Sequence, residues 1–231
     1  MRGNDVDSSG DSLALAPLPP IPAWALGFQP KRRVGLLGGS FNPAHEGHRH
    51  IAELALKHLG LDEVWFLVSP GNPLKDPKGM APLPQRLASA AVQARHPRLR
   101  AVSIERALGT RFTADTLSAL VRRFPRTAFV WLMGADNLIQ LPKWERWSSI
   151  FNTVPIAVFA RPSYSTNALA GKAALRFSPA RQRSLHQATR LASRKPPAWV
   201  FLHTRLHPAS ATSIRARTRP AKGQPTAPGK R

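Results

Sequence analysis

The stretch Arg33-Val34-Gly35-Leu36-Leu37-Gly38-Gly39-Ser40-Phe41-Asn42-Pro43-Ala44-His45-Glu46-Gly47-His48 runs an apolar segment into two glycines and then into a helical pattern. Arg33 to Leu37 predicts a strand and Glu46 to Leu59 a helix, so the glycines fall at a strand-to-helix turn. Glycine at 38 and 39 lets the backbone approach a ligand with no Cβ in the way, and the N–H groups of a helix start favour an anion. His45 and His48, three apart, face the same side. The segment therefore predicts a phosphate cradle with two imidazoles in reach. Each half has a plainer account: Gly-Gly after a strand also makes a simple tight turn, and a His-x-x-His pair also makes part of a zinc site. Zinc lacks a third ligand at suitable spacing here, and no metal-ligating residue is assigned.

Working outward, apolar runs alternate with helical patterns. Further strands are expected at Glu63 to Val68, Arg100 to Ile104, Ala128 to Met133, Ile156 to Ala160 and Trp199 to His203. Further helices are expected at Leu83 to Arg95, at Thr113 to Arg123 and, briefly, after Gly134. The Ala-, Arg- and Ser-rich region from Ser163 to Arg194 is read as helical from the spacing of Leu169, Ala173, Leu175 and Leu185. Strands separated by helices signal right-handed crossovers and a parallel sheet. The expected fold is a single α/β domain, a doubly wound, Rossmann-like parallel sheet with helices on both faces, and its ligands belong beyond the carboxyl ends of the strands.

The chain has 231 residues and no cysteine, which excludes disulfides, thiolate nucleophiles and Cys-ligated zinc. Residues 1–31 are Pro-, Ser- and Gly-rich and residues 218–231 are Pro-, Lys- and Arg-rich, so both read as disordered tails flanking a domain at 32–217. The apolar run from Leu13 to Phe28 is broken by Pro17, Pro19, Pro20 and Pro22, which prevents a membrane-spanning helix. A soluble, cytoplasmic protein without membrane association is expected. The formal charge is +22, and Glu145 is the last acidic residue. Such a field attracts polyanions of every kind, including ATP and nucleic acid.

With these pieces in place, GGSFNPAHEGH (38–48) resembles the T/HxGH nucleotidyltransferase signature, and the form with both histidines is similar to the bacterial nicotinate-nucleotide adenylyltransferase family. The likeness continues in family order. Ser69-Pro70-Gly71-Asn72-Pro73-Leu74-Lys75 resembles a Pro-rich loop ending in lysine, with Leu74 where a histidine is usual. Phe112-Thr113-Ala114-Asp115-Thr116-Leu117 is similar to Tyr-Thr-x-Asp-Thr-Leu. Leu132-Met133-Gly134-Ala135-Asp136, followed by Trp144-Glu145-Arg146-Trp147, is similar to the Met-Gly-Ala-Asp and Trp-x-x-Trp pattern. Ser210-Ala211-Thr212-Ser213-Ile214-Arg215 resembles Ser-Ser-Thr-x-Ile-Arg, with Ala211 in place of the second serine.

The resemblance implies transfer of AMP from ATP to nicotinate mononucleotide, with pantetheine-phosphate adenylyltransferase as the nearest alternative. That second family usually has Thr where His45 stands. The family's roles fall on His48 and His45 as catalytic groups at the ATP phosphates. They make Gly38, Gly39, Ser40, Phe41, Asp136, Ser210, Thr212 and Arg215 further ATP contacts, and Lys75, Thr113, Trp144 and Arg161 contacts of the nicotinate nucleotide. Magnesium is implied as the companion of ATP. Competing accounts stand beside several of these: a plain N-cap for Ser210, a cap for Asp136, core packing for Trp144, a solvated tail for Arg215. A nucleic-acid-binding protein is the reading of another class. It rests on charge alone, since no recognised binding module appears, and any such affinity is expected only through the basic tail.

Overall fold

The computed structural model describes residues 32–71, 79–161 and 164–204. Their elements run β1 (Arg32–Gly39), α1 (Glu46–His58), β2 (Glu63–Val68), α2 (Leu83–Gln93), β3 (Leu99–Val102), α3 (Thr113–Arg123), β4 (Thr127–Gly134), α4 (Ala135–Gln140), α5 (Trp147–Thr153), β5 (Ile156–Phe159), α6 (Ser165–Ala170), α7 (Lys172–Arg176), β6 (Arg181–Gln182), α8 (Leu185–Thr189) and β7 (Trp199–Leu202). The strands form one sheet in the order β3-β2-β1-β4-β5-β7-β6, and every pairing is parallel. From β1 the chain winds outward to β3 and returns to β4 on the other side of β1. This is the doubly wound α/β domain expected from the alternation.

The strands sort their side chains with a period of two. Val34, Trp65, Leu67, Phe129, Trp131 and Met133 join a core with α3 and α5, through Leu117, Leu120, Ile150 and Phe151. Val64, Phe66, Val68, Val130 and Leu132 face the other way, onto Ile51, Ala52 and Ala55 of α1 and Ala90 of α2. A sheet covered on both faces needs strands that are apolar at every position, and all six residues of β2 are buried. Gly35 belongs to this packing, because a Cβ there would lie 2.7 Å from Leu61 Cδ1 and 2.8 Å from Leu132 Cδ1.

The region read as helical between Ser163 and Arg194 is corrected by the structure. It holds three short helices and the edge strand β6. Gly171 is extended, with φ −75° and ψ 157°, and separates α6 from α7. Pro179 lies in a single 3-10 turn. Ser184 opens α8 by accepting a hydrogen bond from the Gln187 N–H. Gly, Pro and a capping Ser each punctuate a helix, and together they override the apolar spacing. The helix α5 was also unexpected from sequence.

Candidate active site

Four strands end level with one another. Gly39 lies opposite Val68 at the end of β2, and Gly134 lies opposite Phe159 at the end of β5. β1 and β4 are paired through Leu37 and Leu132, each two residues before its terminal glycine. The loops after β1, β2, β4 and β5 therefore open on one edge. The chain reverses its winding between β1 and β4, which is where open α/β sheets bind ligands.

At the end of β1, Ser40 and Phe41 turn the chain into α1. Phe41 has φ +47°, a left-handed conformation that residues other than glycine rarely adopt. Its ring is buried, stacked on Phe66 at 5.5 Å and tilted against His48 at 4.8 Å. Only the backbone of Phe41 is left to meet a ligand. Gly38 also has an internal reason: a Cβ there would lie 2.7 Å from Trp131 Cζ2. The ring of Trp131 fills the place of the missing side chain, whereas the sequence had assigned that space to a ligand.

His45 caps α1 and is buried, while His48 sits half-buried in the first turn. Their rings lie 3.8 Å apart. The N–H of His45 donates to His48 Nδ1 at 3.2 Å, and the His48 N–H donates to the His45 carbonyl at 2.8 Å. A ring nitrogen that accepts a hydrogen bond has no proton of its own, so neutral His48 carries its proton on Nε2. That nitrogen is the donor the ring can offer to a bound group.

Asp136 and Arg161 each stand two residues beyond the paired strand ends Gly134 and Phe159, so the parallel register sets them side by side. Arg161 Nε lies 3.2 Å from Asp136 Oδ1, with about a quarter of each side chain exposed. A Cβ at Gly134 would lie 2.7 Å from Arg161 Nε, so glycine at that position makes room for the pair. Thr113 is the first residue of α3 and half-buried. Trp144 meets Trp131 edge to face at 6.5 Å and leans on the core with part of its surface open. Arg146, at φ +49°, forms an ion pair with Asp115 that ties the Trp144 to Trp147 segment to the start of α3. Lys75, Ser210, Thr212 and Arg215 lie outside the described residues. Among the described residues no group of three or more metal-ligating side chains comes together, and no helix is long and apolar enough to cross a membrane.

Two buried charged residues escaped the sequence reading. Arg86, on the inner face of α2, is 2 % exposed, and burial holds its guanidinium below the usual arginine value, opposed by the charge of Glu105. Glu105 is itself buried, which pushes its carboxyl up to about 7, again opposed by Arg86. The only signal for Arg86 was its place among Leu83, Leu87 and Ala90, a basic residue on the apolar stripe of an amphipathic helix.

A parallel sheet that reverses at β1 and β4, with paired imidazoles at its first turn, defines the class of nucleotide-binding α/β transferases, and residues 36–217 match the cytidylyltransferase-like family model. A "probable nicotinate-nucleotide adenylyltransferase" of Parvibaculum lavamentivorans is 54% identical, over 81% of this chain and 93% of the relative. Its namesake in Cereibacter sphaeroides is also 54% identical, over 79% of this chain and 96% of its own. The chain belongs to the nicotinate-nucleotide adenylyltransferases within the cytidylyltransferase-like family. The fold likewise matches a Plasmodium falciparum nicotinic acid mononucleotide adenylyltransferase complexed with NaAD. That match has a TM-score of 0.59 and 13% identity, and it covers 80% of this chain and 83% of the other.

Proposed function

We propose that this protein transfers AMP from ATP to nicotinate mononucleotide, giving deamido-NAD and pyrophosphate, in the cytoplasm. The observation that carries the proposal is the His45–His48 pair, with rings 3.8 Å apart at the helix start that follows β1. The high identity to relatives named for this reaction supports the choice of acceptor.

A phosphate oxygen of the mononucleotide attacks the α-phosphorus of ATP, a new P–O bond forms, and the bond to the β-phosphate bridging oxygen breaks as pyrophosphate leaves. Both reactants are anions, so alignment and neutralisation of the transferring group supply the catalysis. His48 Nε2–H donates to the α-phosphate as charge builds on it, and His45 supports it. The backbone of Gly38, Gly39, Ser40 and Phe41 lines the phosphates, with Ser210, Thr212 and Arg215 at the β- and γ-phosphates. Asp136 accepts from ribose hydroxyls. Lys75, Thr113, Trp144 and Arg161 serve the nicotinate nucleotide, with Trp144 stacking on its ring. The Asp136–Arg161 ion pair thereby sits at the boundary of the two subsites. Magnesium would accompany the ATP phosphates and neutralise their charge, rather than be held by a cage of protein ligands. Asp136 is already engaged by Arg161.

The test mixes purified protein and Mg-ATP with nicotinate mononucleotide, nicotinamide mononucleotide or phosphopantetheine, and follows pyrophosphate release. Release with the nicotinate nucleotide far above the other two is expected. No release with any acceptor would sink the proposal.

A further inference from the structure

We infer that Arg86 is a positioning residue that holds the loop after β1 and the loop after β2 in register, so that the two substrates meet in line; this rests on the proposed adenylyl transfer. Its guanidinium donates to backbone carbonyls of three separate segments. Nη1 reaches Ser40 at 2.7 Å and Ser69 at 2.7 Å, Nη2 reaches Pro70 at 2.8 Å, and Nε reaches Ala81 at 2.8 Å. Four of the five donors of the fork are thus spent on main chain.

The bonded segments carry the chemistry. Ser40 lies between the glycines of β1 and the histidines of α1. Ser69 and Pro70 begin the loop that leads to Lys75. Ser69 N–H also donates to the Gly39 carbonyl at 3.0 Å, so the two loops already touch where Arg86 clamps them. Around this clamp, α2 and its lead-in brace the first loop. Asn42 Nδ2 donates to the Gly79 carbonyl at 3.0 Å, the Ala81 N–H donates to Asn42 Oδ1 at 3.1 Å, and the Ala44 N–H donates to Ser89 Oγ at 2.8 Å. Arg86 is the side chain that joins this platform to both loops at once.

Burying a cation is costly, and a leucine would dock α2 without that cost. A planar, permanently charged fork offers what an apolar side chain cannot, donors fixed in direction toward carbonyls on different segments. Lysine keeps the charge, but its donors radiate from one nitrogen and cannot span all four carbonyls. A slip of roughly 1 Å between reacting groups costs on the order of a hundredfold in rate.

The test compares wild type with Arg86→Lys for melting temperature, kcat and the KM of each substrate, at a temperature where circular dichroism shows both fully folded. Arg86→Lys is expected to lower kcat by about a hundredfold, with each KM changed much less. Guanidinium added to Arg86→Ala is expected to recover at least about tenfold of the lost kcat, and ammonium is not. A merely structural arginine would lower the melting temperature and leave the kcat of folded enzyme within about threefold of wild type, which overturns the inference. Should Arg86→Lys fail to fold, Arg86→Met, which has no charge to bury, carries the same comparison. Failure of both to fold assigns Arg86 to the fold and also overturns it. A wild type with no adenylyl transfer contradicts the proposed function, whereas an active wild type beside an equally active Lys variant contradicts the role of Arg86 alone.

Discussion

Gly38→Ala separates two reasons for a glycine at the end of β1. If glycine is there so that a phosphate can approach, alanine should raise the KM for ATP and leave stability alone. The structure gives the other reason, because the added Cβ would lie 2.7 Å from Trp131 Cζ2. Trp131 Cη2 would be met closer still, and carbon atoms rest about 3.5–4.0 Å apart, so the indole must retreat by more than about 1 Å. Trp131 is 4 % exposed and packs edge-on against Trp144, which leaves it little room. Overpacking costs about 1–3 kcal/mol, and so short a contact puts this case near the upper end, about 2–3 kcal/mol. The φ of Gly38 is not positive, so alanine adds no backbone strain, and its lower unfolded-state entropy returns at most about 1 kcal/mol. For a domain of this size the remaining net loss, about 1–3 kcal/mol, lowers Tm by roughly 2–12 °C. Thermal melts of Gly38→Ala, Trp131→Phe and the double variant should show coupling of about 1 kcal/mol or more, because phenylalanine withdraws the outer ring atoms that the new Cβ meets. A Gly38→Ala protein that melts within about 1 °C of wild type while its ATP KM rises would refute the packing account.

His48→Ala should lower kcat by about 10²–10³-fold, the usual loss for a donor aimed at developing negative charge, while circular dichroism remains that of the folded protein; an unchanged rate removes His48 from catalysis. Asp136→Asn should raise the ATP KM by about tenfold or more. It should change stability by less than about 1 kcal/mol, since its ion pair with Arg161 is partly solvated, and an unaltered KM would free Asp136 from the ribose. Glu105 predicts a pH effect on stability. Its folded-state value of about 7 stands above the ordinary 4.5, so the folded state holds a proton that the unfolded chain gives up between those values. Its contribution is complete below about 4.5 and is lost as pH rises through about 7, on the order of 3 kcal/mol in all. Subtracting the urea-unfolding profile of Glu105→Gln from that of wild type should leave this decline, and a flat difference between pH 4.5 and 7 would contradict it.

The fold was legible because a doubly covered parallel sheet writes itself locally. Glu63 to Val68 is buried at every position, and Ala128 to Met133 feeds one core with its odd-numbered residues and the other with Val130 and Leu132. The histidine pair was legible for the same reason, since an N-cap and the third residue of its helix exchange hydrogen bonds and so lie close together. Asp136 and Arg161 were each found, but not as partners. Their contact follows from the β4–β5 register, a pairing across the sheet that neither local sequence carries. Arg86 was lost for a further reason. An arginine among Leu83, Leu87 and Ala90 resembles a solvated residue at the rim of an apolar face, and its four acceptors are carbonyls, which every sequence has everywhere. The reason Gly38 is glycine was hidden in the same way, in a tryptophan on a neighbouring strand. In this fold the groups that touch substrate stand at strand ends and helix starts, where local signals are strongest. The groups that hold those ends level come from a neighbouring strand or from the helix packed beneath, and only the tertiary arrangement reveals them.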